Sequence, residues 1–561
     1  MNMKTKIFLL IGVLFLVSCS EDFITRDLDK SRDTPNTYFN SVERAEQAVN
    51  AVYSGLRAAY TGNPFIMSIA LGDELYGTIN ATGWSPWGNT INFDIQNTHN
   101  NVAGIWNNFY SYILRANFAL DQISVVKELR GADFSQDHVD LLTGQTLFMR
   151  GFSYYMLSEF YPKDKIVLRE QTTSGGDDIH FTPSSASETF AFIEADLKKA
   201  QELLAKGINT TSGYDKWRIT RGAATAILGR LYLSNKDYVK AAAEFKKLLP
   251  GVGDAAYGTY ALGDYKANFT EAGEHNSESI FELEYTDIAS PNQRNSNQVQ
   301  NWTHNRVLFG GSMWFNFAVP TYNLDEFETW TEGSNTVYDY RAYASLWGVP
   351  EGAILTYYGD EKDWKEQGWR LDVYEGEENV EVVGGTNKNG VTSIGSYGIR
   401  KRSLENTADL INNSVNNSAV NVRLIRLSDI MLLYAECLAN INSGNTSISD
   451  PESGAYWVQQ VRDRANKPMN DQEHLYSART SVNGQLPSVT ALMTAKSWTL
   501  MDVIEHERYV ELYAEGWRFV DLKRWEKGAN YRGINKAGWN GWQSLTLPIP
   551  KTEIDNNPNF E

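Results

Sequence analysis

Four tryptophans stand where no helical or strand period accounts for them. Trp84 and Trp87 sit in the Gly/Pro-rich stretch "TGWSPWGN", Trp302 lies among amides in "NQVQNWTHN", and Trp314 lies between Met313 and Phe315. A ring that is apolar on its face and ringed by hydrogen-bonding groups suits a ligand of the same character. A sugar has apolar C–H faces and a polar hydroxyl rim, and each ring laid on such a face contributes on the order of 1 kcal/mol. Trp84 reads equally as a sugar platform or as loop packing, and Trp87 leans to loop packing. Trp302 has the most polar setting, and Trp314 has the most core-like one. Polar partners are at hand. Arg370 in "KEQGWRLDVY" can present a forked donor, and Tyr397 in "GSYGIRKR" follows a glycine-rich turn. Asp73 in "GDELYG" adjoins Glu74. Paired carboxylates can serve as general acid and base on a glycosidic bond. They also accept hydrogen bonds from sugar hydroxyls or from a neighbouring loop, and that is the reading taken for Asp73.

Other chemistries find little support. The seven histidines are scattered, and His506 in "IEHERY" lacks the second histidine of a His-Glu-x-x-His zinc helix. No phosphate-binding glycine loop, nucleophile elbow or calcium loop is present, so neither a cofactor nor a metal is expected. The 51 basic and 69 acidic residues give a net charge of −18, which disfavours nucleic acid, since phosphates call for basic surface. Highly anionic ligands are disfavoured too, unless a local patch such as Ile399–Arg402, "IRKR", receives them.

These residues must be held by something, and the surrounding pattern is helical. Ser41 is placed to cap a helix on which Ala45, Ala48, Val49, Val52 and Tyr53 share one face. "TLFMRGFSYYMLSEFYP" aligns Phe148, Phe152 and Tyr155 and stops before Pro162. "ITRGAATAILGRLYLSNKDYVKAAAEFKKLLP" reads as two helices joined at 235–237, with small residues at the crossing, and is similar to a divergent tetratricopeptide repeat. Near the C-terminus "RLSDIMLLYAECLANI" and "VIEHERYVELYAEGWRFVDLKRW" continue the style. In the latter Val510, Tyr513, Ala514 and Trp517 form a stripe, and Glu515 is spaced to pair with Arg518 across one turn. From Gly251 to about Asn421 the helical period lapses, and glycine, asparagine and aromatics rise. The chain therefore divides into a helical region (41–250), a loop-rich, mixed α/β insertion (251–421) and a second helical region (422–561).

The N-terminus has the plan of a secretory signal: Lys4 and Lys6, then an apolar run from Ile7 to Val17 that is too short to span a bilayer. Leu16-Val17-Ser18-Cys19 resembles the lipobox of bacterial lipoproteins, in which the cysteine is acylated and begins the mature chain. That makes 1–18 a signal peptide, Cys19 the lipid attachment, and 19–40 a tether. The acidic Glu21 and Asp22 resemble the signal that sends lipoproteins of Bacteroidetes to the cell surface. The second cysteine, Cys437, falls at helical spacing with Ile430, Leu433 and Tyr434 and reads as a small buried hydrophobe.

Together these segments resemble the SusD/RagB family of surface nutrient-binding lipoproteins. The resemblance is carried by Cys19, by "RGFSYYMLSEFYP" and "RLIRLSDIMLLYAECLANI", by the signature at Glu507, Arg508, Glu511, Glu515, Gly516, Arg518, Asp521, Leu522, Arg524 and Trp525, and by the closing "LTLPIPKTEIDNNPNF". It implies a mainly α fold with about four tetratricopeptide-like helix pairs as scaffold and a loop-rich ligand-binding insertion. It also implies a non-catalytic lipoprotein on the outer membrane, facing outward, that captures oligosaccharide and passes it to a SusC-like TonB-dependent transporter. The signature positions are scaffold in such a family and do not identify the ligand. Two other readings remain open at this point: an accessory for peptide import, and a lipid-anchored glycoside hydrolase.

Overall fold

The computed structural model describes residues 38–60, 63–74, 76–77, 89–90, 92–172, 180–204, 217–285, 317–318, 321–332, 335–347, 354–357, 360–363, 398–399, 401, 419–466, 486–528, 530–531 and 538–560. Its helices are α1 (Val42–Tyr60), α2 (Asn63–Ala70), α3 (Asn100–Arg130), α4 (Gln136–Phe160), α5 (Ala186–Leu203), α6 (Arg221–Ser234), α7 (Tyr238–Lys246), α8 (Thr321–Leu324), α9 (Tyr340–Ser345), α10 (Leu427–Ile441), α11 (Gly454–Ala465), α12 (Val489–Lys496), α13 (Leu500–Glu511), α14 (Arg518–Arg524) and α15 (Lys551–Asn556).

Local chemistry sets most of their ends. A helix leaves its first N–H groups without partners inside the helix, and short polar side chains supply them. Ser41 Oγ accepts from the Arg44 N–H (3.4 Å), as its place before the apolar stripe leads one to expect. Ser135, Thr220 and Asp237 cap α4, α6 and α7. Ser185–Glu188 and Thr499–Asp502 form capping boxes at α5 and α13. The helix pair read from "ITRGAATAILGRLYLSNKDYVKAAAEFKKLLP" is α6 and α7, joined by 235–237. At its crossing the Phe245 ring lies against Gly229: a Cβ added there would be 2.5 Å from the ring.

Long helices pack in sequence. α1 pairs with α3, α4 with α5, α6 with α7, and α10 with α11, while α3 on α4, α5 on α6 and α7 on α10 join one pair to the next. This is the succession expected of four helix pairs in a repeat scaffold. Their inward faces share one hydrophobic core running from Ala45 to Phe560. Cys437 is fully buried within it, and burial pushes its thiol pKa up.

Among the described residues strands are few and short. β1 (Tyr76–Gly77) pairs with β3 (Phe317–Ala318), β2 (Ser279–Leu283) with β10 (Val422–Arg426), β4 (Thr329–Glu332) with β5 (Asn335–Tyr338), β6 (Leu346–Trp347) with β9 (Gly398–Ile399), and β7 (Ile354–Tyr357) with β8 (Asp360–Asp363). All five ribbons are antiparallel. The β2–β10 ribbon brings together the two ends of the region where the helical period lapses.

One element departs from the sequence reading. "VIEHERYVELYAEGWRFVDLKRW" is not one helix. α13 stops at Glu511, and α14 begins at Arg518. Between them Ala514 (φ 57°) and Gly516 (φ 86°) take left-handed backbone, which ends a helix. A Cβ at Gly516 would also meet Ser68 Oγ of α2 at 2.7 Å. Val510, Tyr513, Ala514 and Trp517 are all buried, but as the two flanks and the interior of a turn. That break also separates Glu515 from Arg518, so the expected one-turn pair does not form.

Candidate ligand-binding site

Trp84, Trp87, Trp302, Trp314, Arg370 and Tyr397 lie outside the described residues, as does Cys19. What the structure describes is how the segments that carry these side chains are rooted. All of the roots converge on the turn between α13 and α14.

The first root is residues 71–77. Asp73 is buried, and its carboxylate takes a two-pronged bond from Arg518: Nε to Oδ1 at 2.7 Å and Nη2 to Oδ2 at 2.9 Å. Asp73 therefore faces the frame, with both oxygens engaged by the guanidinium. Glu74 Oε1 accepts the Ala514 N–H (2.8 Å), and its carbonyl accepts the Tyr513 hydroxyl (2.6 Å) and Asn323 Nδ2 (2.6 Å). Two residues later the chain enters β1, in which Tyr76 faces Ala318 and Gly77 faces Phe317. In this register the chain leaves toward Trp84 and Trp87 from the ribbon end at which it arrives from Trp302 and Trp314. Asn323 of α8 also donates to the Tyr513 hydroxyl (3.1 Å), tying the second root to the same turn.

The third root flanks 348–397. Trp347 faces Gly398, and Leu346 faces Ile399, so the outgoing and incoming strands of this segment meet. Just upstream, Arg341 of α9 bonds Asp339 (2.7 Å), Glu507 (2.6 Å) and Glu511 (3.1 Å). Just downstream, Lys401 Nζ bonds Glu515 Oε1 (2.7 Å) and the Glu511 carbonyl (3.1 Å). Lys401 is buried, so within the expected basic patch at 399–402 this ammonium is spent internally. Burial depresses its pKa to about 8, although Glu515 opposes the shift.

The glutamates at 507, 511 and 515 thus form a ladder of anions facing cations from four other elements. Glu507 holds Arg341 and Arg462 (2.8 Å). Glu511 holds Arg341, Arg426 (2.6 Å) and Arg464. Glu515 holds Arg426 (2.8 Å) and Lys401. Burial by itself would raise these carboxylates. The guanidiniums more than offset it, leaving Glu515 at about 2 and Glu511 lower still. A second chain of pairs runs alongside: Arg508 to Asp521 (2.8 Å) and Asp429 (3.0 Å), then Arg524 to Asp521 (2.9 Å) and Glu436 (2.7 Å). Arg230 reaches Asp429 and lies over Trp517, 3.7 Å from the ring centroid.

Every charged position of the signature motif is therefore a buried strut. The chain's match over residues 277–561 is to the SusD family, just over half of its length. The chain belongs to the SusD family. A second match, over 27–233, is to the family described as starch-binding associating with outer membrane. SusD-like protein P2 of Formosa agariphila is 22% identical across 99% of this chain and 98% of its own. Among solved structures, a SusD superfamily protein from Bacteroides vulgatus superposes with TM-score 0.67 at 22% identity, covering 93% of this chain and 98% of its own. A laminarin-binding SusD-like protein does so with TM-score 0.67 at 22% identity, covering 92% and 98%. The SusD fold read from the signature is thus the fold of the chain, mainly helical with short ribbons.

In this SusD-family chain, sequence reasoning missed Arg341 and Asn323 and read Lys401 as part of an external basic patch; all three are members of the loop-rich region that lock it to the signature. Nothing in their local sequence marks them for this, because their signature partners lie from 110 to 190 residues away. His506 is buried, with Nδ1 3.6 Å from Glu326. Glu274, His275 and Glu284 bring donor atoms within 4.8 Å of one another. Each of them is engaged internally: Glu274 accepts the Asn421 N–H (2.7 Å), and His275 Nε2 meets Glu284 (3.1 Å).

Glu74 carries a testable signature of this anchoring. Burial, with Asp73 beside it, pushes its pKa up to about 8 against the Ala514 hydrogen bond. The folded state therefore holds a proton that the unfolded chain releases near its ordinary value of 4.5. Between those two values the folded form binds more protons, so stability falls as pH rises. Glu74→Gln is expected to remove that component. Its urea midpoint should draw level with or above that of the parent as pH climbs from about 5 to about 8, a relative gain of roughly 1–3 kcal/mol after allowance for the amide's own burial. Parallel midpoint-versus-pH curves for the two proteins would mean that Glu74 is charged in the fold.

Proposed function

We propose that the protein is a non-catalytic glycan-binding lipoprotein. In this reading Cys19 anchors it to the outer membrane, facing outward, and it delivers captured oligosaccharide to a SusC-like TonB-dependent transporter. The ligand surface is assigned to Trp84, Trp87, Trp302, Trp314, Arg370 and Tyr397, with Asp73 acting through its grip on the first root. The observation that carries this reading is the placement of the anchors. Buried charges of the frame hold two of the three loop roots, Arg518 on Asp73 and the pairs of Glu507, Glu511 and Glu515 with Arg341 and Lys401; Asn323 on Tyr513 holds the other, and the segments between those roots hold the unexplained tryptophans. Rigid elements that hold short roots are what a sugar platform needs, because ring angle and spacing decide which glycan fits. No helix among the described residues is long and apolar enough to cross a membrane, and the reading assigns membrane attachment to the lipid.

A β-1,3-glucan is the first ligand to test, given the laminarin-binding structural neighbour, and starch is the second, given the family description matched by 27–233. In affinity electrophoresis the protein should be retarded by one of them. Trp84→Ala and Trp302→Ala should each weaken retardation about five- to tenfold, the loss of one stacked ring. A reducing-end assay on the same mixtures should stay at background. Released sugar would overturn the non-catalytic reading. Absence of retardation on a broad glycan panel, with binding to a peptide mixture, would move the assignment to peptide import.

A further inference from the structure

A cleft of about 360 Å³ opens at the end of α14 remote from Arg518 and the loop roots. Three helices finish there: α4 at Phe160, α6 at Ser234 and α14 at Arg524. Helix ends expose carbonyls that attract cations, and lysines supply them. Lys523 Nζ donates to the Glu159 carbonyl (2.6 Å), and Lys163 Nζ makes a long bond to the Ser234 carbonyl (3.4 Å). These bonds leave further N–H donors on both ammoniums. Arg524 is already satisfied by Glu436 and Asp521, and Lys236 pairs with Glu526 at the rim (2.5 Å).

Glu159 is the unexplained member. It is 3% exposed, and its Oε1 is buried without a hydrogen-bond partner. A buried acceptor left unpaired costs free energy unless a ligand or water completes it. The half-buried Trp542 ring forms part of the same wall. An acceptor, two ammoniums and an indole face are thus gathered in a cleft of the size that holds one small ligand unit.

We propose that this cleft is a second carbohydrate subsite, separate from the loop surface, which takes a single uronate unit. The sugar carboxylate accepts from Lys163 and Lys523, a hydroxyl donates to the Glu159 carboxylate at the cleft floor, and the apolar ring face lies on Trp542. Charge favours this class of ligand over a neutral hexose. With Lys236 and Arg524 paired, the unpaired charges are two ammoniums against one carboxylate, a positive spot on a chain of net charge −18. Burial depresses Lys523 to about 8 despite the attraction of Glu159, and Lys163 adds to the depression. A bound carboxylate would reverse that.

The test is titration of the purified protein with sodium glucuronate and, separately, with glucose, followed by ligand-observed NMR. Saturable glucuronate binding is expected, with glucose about tenfold weaker, as expected for the loss of a charge-assisted pair. Lys163→Ala and Trp542→Ala should each weaken glucuronate about tenfold. Glu159→Gln, which keeps shape and replaces the carboxylate, should weaken it severalfold. Circular dichroism and melting temperature verify that each variant is folded. Laminarin or starch retardation should be unchanged in all three, so failure here and failure of the loop-surface reading are distinct results. Glucuronate binding no tighter than glucose, or unaffected by both Lys163→Ala and Trp542→Ala, overturns the proposal.

Discussion

Arg426→Met is expected to destabilise the protein by about 3–5 kcal/mol, the cost of leaving buried charge without its partner. Arg426 is buried, and its guanidinium bonds Glu515 through Nε (2.8 Å) and Nη2 (2.8 Å), Glu511 (2.6 Å), Glu278 (2.9 Å) and the Glu511 carbonyl (2.7 Å). Methionine fills similar volume but supplies no charge, so three carboxylates lose a shared cation. Arg426→Lys should recover only part of the loss, because an ammonium cannot fork to two carboxylates at once. Urea unfolding followed by tryptophan fluorescence measures both. The pH profile adds a second reading. Glu515 and Glu511 are held far below their unfolded values, so their contribution is present above about 4.5 and is lost as pH falls toward 2. That acid slope should flatten in Arg426→Met. A variant within 1 kcal/mol of the parent, with the slope intact, would mean that the carboxylate ladder is not held by this guanidinium.

The second large effect falls on Asp73 and Arg518. Asp73→Ala and Arg518→Met should each cost about 3–5 kcal/mol, since either takes the opposite charge of the pair away from a buried ion. The double variant should be markedly more stable than the sum of the two predicts, because removing both charges removes the penalty. The functional readout separates anchoring from mere stability. Asp73→Ala removes one of the tethers on the segment that leads through Glu74 into β1, so glycan retardation should be weakened at temperatures where circular dichroism shows the chain folded. If that variant binds as tightly as the parent, the first root needs no ion pair to hold the platform.

Legibility differed by the range of the interaction involved. Helix existence was readable wherever apolar period and caps coincide within one segment: α1 behind Ser41, α4 running to Phe160, and α6 with α7 around 235–237. The break at Ala514–Gly516 was not, since the apolar spacing of Val510, Tyr513 and Trp517 continues through it. The close approach of Ser68 on α2 leaves room only for glycine at 516, a contact made across the fold that the local spacing does not show. Asp73 shows the same limit. Its type and its loop neighbours suggested a hydroxyl acceptor, but Arg518, 445 residues along the chain, takes both of its oxygens.

By itself, then, the sequence determined the helical pairs, the buried setting of Cys437, the family through its C-terminal signature, and the segments rich in unexplained aromatics. The family follows from the resemblance of that signature; the rest follows from short-range periodicity, capping and composition. Tertiary structure alone decided what the signature charges do. Glu507, Glu511 and Glu515 repeat at a helical interval in any reading. Their partners Arg341, Lys401, Arg426, Arg462 and Arg464 come from elsewhere in the chain, and charge type alone cannot choose among 51 basic residues. The choice is made by burial: a carboxylate taken out of water is tolerable only beside the cation that the fold delivers to it.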